Sequence, residues 1–288
     1  MSGPTEWFDG RARVMFVHAH PDDETICTGG TLAALVEAGR EPLLVTLTRG
    51  EQGEVVAGPL EALVAAHGLA VVRQNELRTA LGMLGIERHA FLGVEPARAE
   101  GLSPAIYEDS GMQWGEDGRA IPDPAAGPDA LTSAPAVEPL NDLLAAAYLS
   151  GAQGIVSYDD GGGYGHPDHM LAHRLSRAVA QALELPFWEI VPARTGDPEP
   201  DGAAIDPATG AEGEGSTGAG STGAGDPEPD AEPPVERYDV SPWLDRKIAA
   251  LRAHTTQLTV ERTENGDEIV HVGGQREPVS CVEAFRRR

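Results

Sequence analysis

The stretch RVMFVHAHPDDETICTGGTLAALVEAG, residues 13–39, decides the fold. Its first seven residues form a short apolar run typical of a buried strand, and TLAALVEAG has the apolar spacing of a helix. Gly39 is a common residue type at the end of a helix. A second apolar run, PLLVTLT at 42–48, follows at once. A strand, a helix and a strand in this order predict two neighbouring parallel strands.

Predicted strands and helices continue to alternate along the chain, with residues 94–137 predicted as an extended excursion over the surface. Further strands are predicted at 89–93, 154–159 and 187–193, and further helices at 70–85, 139–152, 166–183 and 240–258. This alternation predicts an α/β fold, a Rossmann-like, doubly wound and mostly parallel sheet with helices on both faces. In such sheets the active site lies at the carboxyl ends of the strands.

Residues 195–236 differ from the rest in composition, with eleven acidic residues, no basic residue and two copies of GSTGA. Such a segment buries too little apolar surface to offset its chain entropy, so we predict an acidic, Gly/Pro-rich disordered insert. The insert separates a catalytic α/β domain, residues 1–194, from residues 237–288. We expect this last part, a helix and strands, to complete the same domain.

Charge and cysteine content limit the classes of partner. The formal net charge is −25, which favours neither nucleic acid nor anionic membrane surfaces as partners. Only two cysteines occur, which predicts no disulfide framework and fits a reducing cytoplasm. No signal peptide is evident, and no apolar run approaches the ~20 residues that a membrane span needs. We expect a cytoplasmic protein with a small-molecule substrate, whose oligomeric state the sequence does not indicate.

Clusters of polar residues follow two of the predicted strands. The candidate ligands and proton carriers are His20, Asp22, Asp23 and Glu24 in the first cluster, and His166, Asp168 and His169 in the second. Two loops at the carboxyl ends of parallel strands can face one cleft. A catalytic zinc site takes three His, Asp or Glu ligands and keeps one position for water. The pattern therefore indicates a hydrolytic metal site; the alternative is that these residues only cap the helices that follow.

The motifs AHPDDE and GGYGHPDH together resemble the paired signature of the PIG-L/LmbE family of zinc-dependent deacetylases, which act on N-acetylglucosaminyl compounds. TRGEQGEVV at 48–56, DSGM at 109–112 and KIAALRAHTTQL at 247–258 are similar to one branch, which deacetylates N-acetylglucosaminyl-inositol in mycothiol biosynthesis. The resemblance covers nearly the whole chain outside the insert and the final segment. It implies hydrolysis of the acetamide to acetate and glucosaminyl-inositol.

The resemblance also implies roles for the residues at the matching positions. His20, Asp23 and His169 become the ligands of Zn²⁺, although two His and one Asp also suit Fe²⁺ or Co²⁺. Asp22 becomes the general base that takes a proton from the attacking water. His166 becomes a protonated partner that stabilises the oxyanion or donates to the departing amine.

Other roles implied by the resemblance concern orientation and the substrate. Asp168 would orient the His166 imidazole and raise its pKa, and the Tyr164 phenol would donate to the oxyanion. The substrate-binding residues implied are Arg73, Asp109 and Glu54, with Met112 as an apolar wall.

Some features depart from the family pattern or admit other interpretations. Asp160 and Gly161 stand where the family usually has Pro and Asn, residues 94–108 are additional, and the chain beyond Leu258 differs. A mycothiol S-conjugate amidase and a deacetylase of another N-acetylglucosaminyl compound are the nearest alternatives. A nucleotide-binding domain would need a GxGxxG turn after the first strand, and an interaction protein would depend on the acidic insert. His254 is either a helix-end residue or a neighbour of the site.

Overall fold

The computed structural model describes residues 3–191 and 234–288. Its strands are β1 Val14–His18, β2 Leu43–Thr46, β3 His89–Phe91, β4 Met112–Trp114, β5 Ala120–Pro122, β6 Gly154–Ser157, β7 Phe187–Val191, β8 Val235–Asp239, β9 Leu258–Thr263, β10 Gly266–His271, β11 Arg276–Pro278 and β12 Val282–Arg287. Its α-helices are α1 Asp23–Glu37, α2 Leu60–His67, α3 Leu69–Leu84, α4 Val137–Ser150, α5 Pro167–Ala182 and α6 Leu244–Leu251.

The main sheet has seven strands in the order β3-β2-β1-β6-β7-β12-β8. The first five are parallel to one another, and β12 pairs antiparallel with both β7 and β8. The chain builds outward from β1 through β2 to β3, then returns to place β6 on the other side of β1. This reversal between β1 and β6 opens the crevice in which doubly wound sheets bind ligands.

Helices cover both faces of the sheet, and the alternation along β1 shows how. Val14 and Phe16 belong to one core, together with residues of α1 and α3. Met15 and Val17 belong to a second core on the opposite face, with residues of α4 and α5. Because side chains alternate along a strand, five consecutive buried residues require a cover on both sides. The predicted doubly wound α/β fold is confirmed.

Two regions differ from the sequence-based expectations. The helix predicted at 240–258 is much shorter, since α6 ends at Leu251 and the following turn is held by the Glu76 carboxylate, which accepts from the backbone N–H of Thr256 at 2.8 Å. The predicted excursion at 94–137 contains the antiparallel hairpin β4–β5, which lies beside the site.

The division into 1–194, 195–236 and 237–288 stays a prediction, because residues 192–233 lie outside the described residues. The strand β8 begins at Val235, and β12 inserts between β7 and β8, so the C-terminal segment packs on the main sheet. No helix within residues 3–191 and 234–288 combines the length and apolar character needed to cross a bilayer.

Candidate active site

The two polar loops meet at the crevice between β1 and β6. Asp23 is the first residue of α1, and His20 lies in the tight turn between β1 and that helix. His169 lies in the first turn of α5, which follows β6, and all three side chains are buried. The fold therefore brings the two loops together, as the sequence predicted.

Three potential ligand atoms form a nearly equilateral triangle. His20 Nδ1 lies 3.2 Å from Asp23 Oδ2, His169 Nε2 lies 3.3 Å from the same oxygen, and the two nitrogens are 3.3 Å apart. Tetrahedral bonds of about 2.0–2.1 Å to one ion place ligand atoms roughly 3.3–3.4 Å apart. The triangle therefore fits a small divalent ion.

Other donors cluster around the same histidine. The ligand atoms of His20, His166 and His169 lie within 4.8 Å of one another, as do those of His20, Asp109 and Asp168. The set that contains Asp23 has separations of 3.2–3.3 Å, which are the ones that a single tetrahedral ion requires.

The Tyr158 side chain contacts two members of the ligand triangle, Asp23 and His169. Its hydroxyl donates to Asp23 Oδ2 at 2.8 Å and accepts from the backbone N–H of Ala19 at 2.9 Å. Its ring stacks on the His169 imidazole with centroids 4.0 Å apart and planes 8° apart. Tyr158 thus orients two of the three ligands, a role that the sequence interpretation missed.

The second nitrogen of His20 faces carboxylates. His20 Nε2 lies 3.2 Å from Asp168 Oδ2 and 3.6 Å from Asp109 Oδ1. A carboxylate that accepts from one ring nitrogen of a histidine fixes the tautomer and leaves the other nitrogen free to bind a metal. This arrangement leaves Nδ1 of His20 to face the other two atoms of the triangle.

Asp168 contacts His20 through its carboxylate and His166 through its backbone. Its carboxylate contacts His20 and the backbone N–H of Ser110, and it is the backbone N–H of Asp168 that donates to His166 Nδ1 at 3.2 Å. Burial, followed by the nearby His20 and His169 rings, lowers the pKa of His166 to about 3. The Asp168 charge acts in the expected direction and raises this pKa, but burial and the two imidazoles outweigh it.

His166 and Tyr164 pack against the imidazoles of the ligand triangle. The His166 ring lies 4.5 Å from the His20 ring between centroids, and its Nδ1 caps the start of α5. His166 therefore caps α5, as the alternative interpretation expected, and it also lies in the site. The Tyr164 ring lies 5.2 Å from the His169 ring, and desolvation of the hydroxyl, followed by the Asp23 charge, raises the pKa of this phenol.

Asp22 is held from two sides. Its φ of 124° is unusual for a residue other than glycine, and its backbone N–H donates to Glu24 Oε2 at 2.9 Å. On the other side, Arg73 Nη2 lies 3.3 Å from Asp22 Oδ2 and donates to the Pro21 carbonyl. Burial raises the pKa of Asp22 to about 6, against the lowering effect of the Arg73 charge. Such a carboxylate can accept a proton near neutral pH.

Glu24 is in turn held by His254. His254 Nε2 lies 3.0 Å from Glu24 Oε1, and both side chains are fully buried. His254 is therefore a neighbour of the site, which settles the two interpretations left open by the sequence.

Arg73 packs against the backbone of Gly50 and Gly53. It donates to the Gly50 carbonyl at 3.0 Å, and a Cβ at Gly50 or Gly53 would overlap its guanidinium. Arg73 is almost wholly buried and contacts the turn that carries Asp22. The contacts of Arg73 with the Pro21 carbonyl and the Asp22 carboxylate position Asp22. Substrate contact by Arg73 stays a prediction.

The remaining predicted substrate residues differ in their surroundings. Asp109 is buried beside His20, and Met112 begins β4 and is half-buried. The Glu54 side chain is exposed, and its backbone carbonyl accepts from Gln257. Glu51 is the acidic residue of this loop that reaches Asp109, since its carboxylate accepts from the Asp109 backbone N–H at 2.9 Å. The sequence interpretation missed Glu51, although it lies in the same GEQGE motif.

Comparisons with known proteins agree with this geometry. A model of the PIG-L family, described as GlcNAc-PI de-N-acetylase, matches residues 15–180. The 1D-myo-inositol 2-acetamido-2-deoxy-alpha-D-glucopyranoside deacetylase of Kineococcus radiotolerans is 37% identical, over 98% of this chain and 78% of the relative. Its namesake from Saccharomonospora viridis is 34% identical, over 94% of this chain and 93% of the relative.

Solved structures share the fold. A zinc-inhibited form of teicoplanin deacetylase Orf2 aligns with a TM-score of 0.51 at 15% identity, covering 84% of each chain. A deacetylase–teicoplanin complex aligns with a TM-score of 0.52 at 15% identity, covering 84% of this chain and 86% of that one. The family expected from the two polar motifs is confirmed: the chain belongs to the PIG-L (GlcNAc-PI de-N-acetylase) family of deacetylases, hydrolases that act on amide bonds.

Proposed function

We propose that this protein hydrolyses the acetamide of N-acetylglucosaminyl-inositol, releasing acetate and glucosaminyl-inositol in mycothiol biosynthesis. The observation that carries the proposal is the ligand triangle of His20, Asp23 and His169 beside the half-buried carboxylate of Asp22. Relatives at 34–37% identity, named as deacetylases of this substrate, support the choice of substrate.

His20 Nδ1, Asp23 Oδ2 and His169 Nε2 would hold the metal, which we propose to be Zn²⁺. The pKa of Asp23 lies well below its usual range: burial raises it, and the His169 and His20 imidazoles outweigh that effect. Asp23 is therefore an anionic ligand, as a divalent ion requires. When bound, the ion supplies a more acidic water and polarises the acetamide carbonyl.

Asp22 takes a proton from the attacking water. Its pKa of about 6 leaves it ionised at neutral pH, yet basic enough to hold a proton once it has accepted one. Glu24 and Arg73 fix its backbone and its carboxylate, so little rearrangement is needed during the transfer. The protonated Asp22 is then the donor for the departing amine.

His166 and Tyr164 donate to the oxygen that becomes negative in the tetrahedral intermediate. His166 Nδ1 accepts from the Asp168 backbone N–H, so the neutral imidazole carries its proton on Nε2. The Tyr164 phenol keeps its proton at neutral pH, since the ordinary pKa of tyrosine is about 10. Two neutral donors aimed at one oxygen make an oxyanion hole without adding charge to a buried site. This assignment leaves amine protonation to Asp22.

Recognition of an uncharged polyol fits the acidic surroundings. The Asp109 carboxylate is buried at the site and its pKa lies below its usual range: burial raises it, and the nearby His20 imidazole outweighs that effect. A carboxylate of this kind accepts hydrogen bonds from sugar or inositol hydroxyls.

The expected cytoplasmic location stays a prediction.

The test is an acetate-release assay on purified, zinc-loaded protein. We expect N-acetylglucosaminyl-inositol to be hydrolysed with a kcat/KM well above that for a mycothiol S-conjugate or for free N-acetylglucosamine. Asp22→Asn is the matched control, and we expect it to retain zinc and to lose roughly 10²–10⁴-fold in kcat. A strong preference for the conjugate would assign the site to the amidase reaction instead.

A further inference from the structure

An exposed aromatic pair leads outward from the ligand triangle. The Trp114 ring on β4 is 52% exposed and lies 5.9 Å from the Tyr164 ring between centroids, at an angle of 37°. The Tyr164 ring, 45% exposed, lies 5.2 Å from the His169 ring. Aromatic surface thus continues from a metal ligand to solvent.

Strand geometry places Trp114 on the same face as Met112. Side chains alternate along a strand, so residues two apart share a face and the residue between them points the other way. Gln113 is that intermediate residue, and it pairs in register with Ile121 on β5, 45% exposed. Met112 and Trp114 together therefore form one apolar stripe, while Gln113 and Ile121 lie on the opposite face of the hairpin.

The hairpin is fixed to the site at both ends. Before β4, the backbone N–H of Ser110 donates to Asp168 Oδ2 at 2.9 Å. On β5, the backbone N–H of Ala120 donates to the Tyr164 carbonyl at 3.0 Å. A Cβ at Gly165 would lie 2.9 Å from the Ala120 carbonyl oxygen, so the Tyr164 loop packs closely against the hairpin. Trp114 is consequently held at a defined place relative to the metal ligands.

An exposed indole at the rim of a sugar-processing site suits a ring with an apolar C–H face. With the acetamide at the ligand triangle, the N-acetylglucosamine ring comes next to Tyr164, and Trp114 is the next ring in the series of contacts from His169 through Tyr164. We propose that Trp114 is a specificity-determining residue that contacts the C–H face of the second ring of the substrate, the inositol. This inference rests on the proposed function.

The experiment compares kcat/KM of wild type, Trp114→Ala and Trp114→Phe on N-acetylglucosaminyl-inositol and on the one-ring substrate N-acetylglucosamine. We expect Trp114→Ala to lose roughly tenfold on the two-ring substrate, the cost of burying much less apolar surface. The loss should lie mainly in KM, stay below about twofold on the one-ring substrate, and be largely restored in Trp114→Phe. Ile121→Ala, on the opposite face of the same hairpin, is the matched control and should resemble wild type.

A binding measurement gives a readout that does not depend on turnover. Titration with glucosaminyl-inositol should change the tryptophan fluorescence of the wild type, and Trp114→Phe should remove that change, since Trp7 and Trp188 are buried and the half-buried Trp243 packs against Trp7. Equal losses on both substrates, or no loss in Trp114→Ala, would overturn the assignment of Trp114 while wild-type turnover upholds the proposed function. A wild type that does not hydrolyse the two-ring substrate would overturn both.

Discussion

Removing one hydroxyl from Tyr158 should weaken the metal site without touching a ligand. In Tyr158→Phe, Asp23 Oδ2 loses its 2.8 Å hydrogen bond, and the buried backbone N–H of Ala19 loses its 2.9 Å acceptor. The ring that stacks on His169 remains, so the change isolates the hydroxyl.

Two costs follow from the structure. Loss of an outer partner of a ligating carboxylate typically lowers metal affinity about 10–100-fold. A buried N–H left without an acceptor costs about 1–3 kcal/mol of the free energy of unfolding. For a protein of this size each kcal/mol lowers Tm by roughly 2–4 °C, so the metal-free variant should melt roughly 2–12 °C below the metal-free wild type.

Zinc affinity can be measured by competition with a chromophoric chelator, and stability by thermal unfolding of the metal-free proteins. Tyr148→Phe is the matched control, because this tyrosine is 74% exposed and far along α4 from the ligand loops. Equal zinc affinity in Tyr158→Phe, Tyr148→Phe and wild type would show that Tyr158 does not support the ligands.

Three further predictions concern the base, the core and the insert. The acidic limb of kcat/KM against pH should lie near 6, because Asp22 must be ionised to accept a proton. Arg73→Gln should move that limb to higher pH by about 1–3 units, since the lost positive charge favoured the carboxylate; an unmoved limb would contradict this. Lys247→Met leaves the buried Glu283 carboxylate without its 2.8 Å partner, and should cost about 3–5 kcal/mol in denaturant unfolding; a loss below about 1 kcal/mol would argue against a charged pair. Deleting residues 203–226 should leave kcat/KM within about twofold. The shortened link between the parallel strands β7 and β8 is still longer than the roughly dozen residues that such a crossover needs. Lost hydrolysis would favour a role for the insert.

Local sequence patterns predicted much of the fold and the centre of the site. The alternation of short apolar runs and helical periodicity predicted the order β1, α1, β2, and the shared HPD turns predicted that His20 and His169 would meet. Both features depend on neighbours in sequence and on the rule that parallel strands end at one edge.

The supporting contacts were not predictable in this way, because they join distant parts of the chain. Tyr158 reads as an ordinary strand residue, and only the pairing of β6 with β1 brings its hydroxyl to Asp23. His254 reaches Glu24 across 230 positions, and the same packing ends α6 earlier than its apolar pattern predicts. Such contacts depend on tertiary packing, which overrides helix propensity.

The most direct measurement is the metal content of wild type and of His169→Ala after dialysis against zinc and gel filtration, read together with acetate release. We expect about one zinc per wild-type chain and hydrolysis of N-acetylglucosaminyl-inositol, with both lost in His169→Ala. Full zinc occupancy in His169→Ala, or hydrolysis by wild type freed of metal, would contradict a metal-dependent site built on His169.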